Sequence, residues 1–325
     1  MKNILCLAVS LGMNMFIRSN ISWNLKTVLY LCLLLIIFFT MKAHALANNI
    51  KMLSNIAYGE HEDHILDVYF PSVKKVGSPV IFMAHGGAWR IGNKDSSAVV
   101  KNKVAHWVAK GFVFISVNYR LLPKAGPTEQ AEDVEKAILF SQKNAHKWGG
   151  SPNKFILMGH SSGAHLVSLI SVHHNAMLTP WLGTIALDSA AYDVEKIMKS
   201  SSTLRLYKKA FGKLPDYWKK ASPFHGLKKK LAPFLAVCSS KRKDNACAQA
   251  QSFINKANTY DSQAKLLQVA FSHRGINVEL GKDYCYTQAV DAFLKTLHAS
   301  ATGMLVNEVT SKAMPVKENC ALVIK

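Results

Sequence analysis

The sequence predicts an α/β protein: a mostly parallel central sheet with helices on both faces. Apolar, β-branched runs recur along the 325 residues. Most are continuous rather than alternating, as expected of strands covered on both sides. Helix-like stretches lie between them, and strand–helix alternation of this kind implies parallel strands joined by crossovers.

Taken in order, the runs are residues 65–70 (ILDVYF), 79–85 (PVIFMAH), 112–119 (FVFISVNY), 155–159 (FILMG), 183–189 (GTIALDS), 233–239 (PFLAVCS) and 265–271 (KLLQVAF). The helical stretches are 96–110, 128–148, 162–174, 246–257 and 286–298. The second carries Glu129, Glu132 and Asp133 in its first turns, where carboxylates suit the helix dipole. Upstream of the 65–70 run there is no room for a helix, so the chain before it is expected to form an antiparallel edge. Residues 191–231 break the rhythm. They are lysine-rich, hold Tyr207, Phe211, Tyr217 and Trp218, and read as a helical cap inserted between two strands. Residues 48–299 would then form one domain, with 300–325 as a polar tail.

The N-terminus has a different character. Val28 to Met41 is almost wholly apolar, preceded by Arg18 and Lys26. It is shorter than the roughly 20 residues a membrane-spanning helix needs. Small residues follow at Ala43-His44-Ala45 and Ala45-Leu46-Ala47, so residues 1–47 match a secretory signal peptide cleaved near Ala47. The expected location is periplasmic or secreted; the alternative is an uncleaved N-terminal anchor. Beyond this segment remain Cys238, Cys247, Cys285 and Cys320. An even number in an exported chain reads as two disulfides. Four cysteines allow three connectivities; because Cys238 and Cys247 bracket one loop, the expected pairing joins them and, by subtraction, Cys285 to Cys320.

The formal net charge is +20. Residues 1–47 hold four of the 40 basic residues and no acidic one, so 36 remain against 20, a net of +16. The excess clusters at Lys208-Lys209, Lys219-Lys220 and Lys228-Lys229-Lys230. Such a cap reads first as a plain solvated face, with an anionic surface as the alternative partner. Nucleic acid is not expected as the partner of an exported chain.

Gly159-His160-Ser161-Ser162-Gly163 interrupts an apolar strand and resumes as an apolar helix. In a parallel sheet, ligands gather where strands end and helices begin. A serine on a sharp turn there, flanked by glycines, is a nucleophile elbow, with Ser161 exposed and the next helix N-terminus aimed at it. His85-Gly86-Gly87-Ala88-Trp89 directly follows another strand. Acyl transfer builds negative charge on a carbonyl oxygen, and preorganised backbone N–H groups stabilise it. The amides of Gly86, Gly87 and Ser162 are therefore the expected oxyanion hole. Trp89 lines the acyl pocket or packs beneath it.

A serine needs a base, and the base an orienting carboxylate. His273 follows the last core strand and Asp244 the strand before it. Ser161, Asp244 and His273 are the expected triad; Asp188, also at a strand end, is the alternative acid, set aside as one strand too early. His61-Glu62-Asp63-His64 lacks the helical spacing of a metalloprotease and reads as a polar turn. No metal or organic cofactor is expected.

With these residues assembled, the chain resembles the α/β-hydrolase superfamily over roughly residues 52–299. It is most similar to bacterial HGGxW esterases, related to the hormone-sensitive-lipase-like esterases and kynurenine formamidases. The stretches that carry the resemblance are HGGAWRIG, VNYRLLP, AEDVEKAI, WGGSPNKFILMGHSSGAHL and FSHRGIN. It implies an α/β-hydrolase fold and a serine carboxylesterase acting on small-molecule esters, with an arylformamidase or a non-catalytic envelope binding protein as rivals. Two departures stand out. The third glycine of many relatives is Ala88 here, which is expected to narrow the acyl side. The family's acid loop commonly reads His-Gly-x-x-Asp, and here Cys238-Ser239-Ser240-Lys241-Arg242 puts an arginine at that offset.

Overall fold

A computed structural model describes residues 50–298 except 174 and 283, together with 28, 30–32, 34, 303–305 and 323–324. The chain divides into two compact units, Met1–Asn48 and Asn49–Lys325. In the first, the described residues between 28 and 34 are helical. Among the described residues no helix is long and apolar enough to cross a membrane. Most of the expected leader, residues 1–47, lies outside the described residues, as does most of the expected tail.

The second unit is built on one sheet. Its strands are β1 Ile50–Ala57, β2 Ile65–Pro71, β3 Ser78–Ala84, β4 Val113–Val117, β5 Gly150–His160, β6 Gly183–Leu187, β7 Phe234–Ser239, β8 Ala264–Val269 and β9 Val323–Ile324. They lie in the order β1-β2-β4-β3-β5-β6-β7-β8-β9. From β4 to β8 every pairing is parallel. The first two strands are antiparallel to their neighbours, which gives the edge expected before the 65–70 run.

The helices are α1 Ser97–Trp107, α2 Pro127–Asn144, α3 Ser162–Val172, α4 Val194–Met198, α5 Arg205–Phe211, α6 Pro215–Lys220, α7 Pro223–Gly226, α8 Ala246–Asn258, α9 His273–Glu279 and α10 Cys285–Leu297. Side chains alternate across the strands, so consecutive residues serve two cores. Val80, Phe82 and Ala84 of β3 join Val134 of α2, Leu166 of α3 and Phe253 of α8 on one face. Ile81 and Met83 join Trp107 of α1, Ile276 of α9 and Val290 of α10 on the other. Burial on both faces is the physical reason the strands read as unbroken apolar runs.

Helices α4 to α7 occupy the lysine-rich interval between β6 and β7 and reach over the first core through the buried Tyr207, Ala210 and Phe211. The Cys238–Cys247 disulfide closes the loop after β7. Cys285 is also disulfide-bonded; Cys320, its expected partner, lies outside the described residues.

Candidate active site

The turn between β5 and α3 is closed by steric contact. A Cβ on Gly159 would collide with the backbone of Gly163, and one on Gly163 with the carbonyl oxygens of Ala84 and His85. Glycine at both positions lets α3 start directly against β3 and β5. Ser161 sits at the tip with φ 56° and ψ −117°, a strained conformation for a residue with a side chain. Its N–H donates to the Leu187 carbonyl at 2.8 Å, which fixes the turn to the end of β6.

The loop after β3 lies against this turn. A Cβ on Gly86 would stand 2.8 Å from the His160 carbonyl oxygen and 3.0 Å from Ser161 Cβ. Gly87, Ala88 and Trp89 follow with positive φ. No backbone bond occupies the N–H of Gly86 or Gly87 among the described residues. The N–H of Ser162, in the first turn of α3, has no intrahelical acceptor. His85 braces this loop from below: it is buried, stacks on Tyr119 with ring centroids 4.5 Å apart, and its carbonyl accepts from Tyr119 Oη at 2.6 Å.

Ser161 Oγ and His273 Nε2 are 2.9 Å apart, and His273 Nδ1 lies 2.6 Å from Asp188 Oδ2. Nδ1–H therefore donates to the carboxylate and Nε2 faces the serine as acceptor. The structure corrects the expectation for the carboxylate beside His273: it is Asp188, and Asp244 is not at the histidine. Arg242 holds Asp244 through Nε at 2.8 Å and through a short bond from Nη2, and Tyr207 Oη donates to it at 3.4 Å. The same guanidinium blocks the way to the imidazole, with Nη1 3.2 Å from His273 Nδ1.

Asp188 follows β6 with φ 58°, a left-handed bend that turns its side chain across the top of β7. Its N–H donates to Val237 O at 2.7 Å, its Oδ1 accepts from Ser239 N–H at 2.9 Å, and its carbonyl accepts from Arg242 Nη1 at 2.7 Å. Ser239 Oγ donates to Phe271 O at 2.6 Å, so the ends of β6, β7 and β8 are tied together around the pair. Burial works to raise the Asp188 carboxyl, but the His273 bond, the Arg242 charge and the Ser239 N–H outweigh it and hold it below the usual carboxylate range.

His273 is held from behind. His273 opens α9, whose N-cap Ser272 accepts from Gly275 N–H at 3.0 Å. Lys103 of α1, fully buried, donates to Asn277 O and Oδ1 of α9 at 2.6 and 2.7 Å. Burial lowers its ammonium to about 7. His160 Nε2–H donates to His273 O at 3.0 Å.

Trp89 packs beneath the site rather than lining it. It is buried, its Nε1–H donates to His165 Nδ1 at 3.2 Å, and Phe211 of α5 lies against its ring. His165 Nε2–H in turn donates to Ala221 O of the cap at 2.7 Å. Ala88 packs at the rim of the same core. The His61, Glu62 and Asp63 ligand atoms cluster within 4.8 Å, but Lys124 pairs with Glu62 at 2.6 Å and Asp63 at 3.6 Å. A bound cation would have to displace that lysine, which supports the polar-turn reading.

Three histidines around the site are buried neutral. Burial lowers His85 to about 4, His165 to about 4 and His160 to about 3, the last helped by the neighbouring His273. Their folded values lie below the roughly 6.5 of an unfolded histidine, so the unfolded chain takes up protons first as pH falls. Stability is expected to be whole above about pH 6.5 and to fall towards pH 4 by about 1.4 kcal/mol per pH unit for each histidine. Urea midpoints measured at pH 7.5, 6 and 5 check this; a flat series would contradict it.

The BD-FAE family model matches residues 66–257, more than half of the chain and nearly the whole span from β2 to α8. The chain belongs to the BD-FAE family. A probable isoprenylcysteine α-carbonyl methylesterase of Oryza sativa subsp. japonica is 32% identical over 118 residues, 36% of this chain and 28% of that protein. A kynurenine formamidase of Salmo salar is 30% identical over 164 residues, 50% of this chain and 52% of that protein. The chain thus spans between about a quarter and a half of these relatives. Among solved structures, a truncated carbohydrate esterase from gut microbiota superposes with a TM-score of 0.65 at 20% identity, covering 78% of this chain and 96% of that one. That likeness establishes the α/β-hydrolase fold.

Proposed function

We propose that this family member is an exported serine carboxylesterase that hydrolyses small to medium acyl esters. The observation that carries the reading is the hydrogen-bonded line Ser161–His273–Asp188 at a strained strand–helix turn. Ser161 Oγ attacks the ester carbonyl carbon as His273 Nε2 takes its proton. Asp188 keeps the proton on Nδ1 and balances the imidazolium. The N–H groups of Gly86, Gly87 and Ser162 receive the oxyanion. Collapse expels the alcohol, which takes the proton from Nε2. Water, deprotonated by the same nitrogen, then cleaves the acyl-enzyme and restores Ser161. Each step uses side chains and amides of this chain alone.

Export is supported by the apolar run and small residues before position 48 and by the Cys238–Cys247 bridge, since disulfides persist in oxidising compartments. The second reading is an arylformamidase, favoured by the salmon formamidase, which the chain matches over half its own length. The same nucleophile and base would attack a formamide carbonyl.

The test is turnover of p-nitrophenyl esters from acetate to palmitate beside N-formylkynurenine, with active-site labelling by a fluorophosphonate. Ester turnover falling with chain length, and labelling at Ser161, are expected. Turnover of the formamide alone would install the second reading. A folded protein that neither turns over nor labels would point to a binding role.

A further inference from the structure

The outer face of the cap combines two features that a merely solvated surface keeps apart. Helix α5 turns Tyr207, Ala210 and Phe211 inward, with Phe211 4.9 Å and Tyr207 6.1 Å from the Trp89 ring by centroid. The rest of the segment faces outward. Arg205, Lys208, Lys209 and Lys213 are exposed, and so are Leu204 at 45%, Leu206 at 37% and Leu214 at 71%. No acidic residue lies between Glu195 and Asp216.

Trp89 joins this face to the loop beside Ser161. Its next residues, Arg90 and Ile91, are exposed, Ile91 at 71%. The charges of Arg90 and Arg205 both lower the Lys209 ammonium, so a cation of the loop and a cation of the helix act on the same lysine. Leucines exposed among lysines and arginines form the pattern of an interfacial surface: cations meet anionic head groups while apolar side chains enter the head-group boundary.

We propose that α5, its flanks Leu204 and Leu214, and the Arg90-Ile91 loop form a docking surface for an anionic lipid membrane. Charge complementarity names the occupant's sign, and the interspersed leucines favour a bilayer over an acidic polymer, which offers them no apolar phase. The surface borders the loop next to Ser161, so docking would bring an ester held in the bilayer to the side of the molecule that carries that loop. The proposal concerns binding and stands independently of the esterase reading.

Co-sedimentation of the full chain with phosphatidylcholine vesicles, with and without phosphatidylglycerol, tests it. Any binding through the apolar run at Val28–Met41 is the same in every variant, and lipid is kept below the level at which that binding saturates on phosphatidylcholine alone. Phosphatidylglycerol is expected to raise binding at least about tenfold, and salt to reverse the gain. Lys208→Glu with Lys213→Glu should abolish the gain. Leu204→Ser with Leu214→Ser should weaken binding about tenfold while leaving its salt dependence. Turnover of a soluble short ester, followed in parallel, should be unchanged in both pairs. Equal sedimentation on both vesicles would overturn the proposal. So would leucine variants that bind like wild type while polygalacturonate competes for the lysines, since the face would then be a polyanion site. Loss of soluble turnover in wild type would count against the esterase reading alone.

Discussion

Ser161→Ala is expected to lower kcat about a million-fold, the scale seen when a Ser–His–Asp set loses its nucleophile. The substitution removes Oγ and nothing else that the fold uses. Ser161 has φ 56°, and alanine carries the same Cβ into that conformation, so strain is neither added nor relieved. The N–H that binds Leu187 O stays, and so do the glycine contacts that close the turn. The melting temperature should therefore match wild type, and fluorophosphonate labelling should vanish. Some catalysis should survive, because the amides beside the site still stabilise an oxyanion formed by water. A variant that kept full turnover would place the nucleophile elsewhere and remove the basis of the proposed function.

The elbow was legible because it rests on local demands. An apolar strand, two glycines whose side-chain space is filled by backbone, and an apolar helix all fall within residues 155–172. The parallel sheet was legible for a similar reason, since burial on both faces writes unbroken apolar runs. The acid was not. Asp188 and Asp244 both follow strands, and chain order alone favours the one nearer His273. What decides is that Asp188 takes a left-handed bend and crosses the end of β7, while Arg242 claims Asp244. The arginine at the family's acid offset was the one signal in the sequence that the carboxylate had moved. The support from Lys103 to α9 left less trace, because it joins residues 174 apart through backbone and amide oxygens. Helix α9 itself was missed: seven residues starting at the base read as a loop after a strand.

Asp188→Asn and Asp244→Asn are expected to differ by about a thousand-fold in kcat. The first should cost about ten-thousand-fold, as when an asparagine replaces the acid of a triad. In Asp188→Asn the carbonyl oxygen of the new amide can still accept from Ser239 N–H, which turns the amide nitrogen towards His273 Nδ1. An N–H facing that ring nitrogen requires its lone pair, so the proton moves to Nε2, which can then no longer accept from Ser161. Asp244→Asn leaves both triad bonds in place. It removes a charge from Arg242, whose guanidinium still binds the Asp188 carbonyl, and should keep kcat within about tenfold of wild type. Initial rates on p-nitrophenyl butyrate, with stability checked for each variant, read the ratio directly. A larger loss at Asp244 than at Asp188 would return the acid to the loop after β7 and require the Arg242 pair to break when substrate binds. Both variants remove one negative charge beside the same guanidinium, so net charge changes equally, and the stability check separates loss of folding at the buried Asp188 from loss of turnover. The difference between them therefore reports which carboxylate holds the histidine's proton.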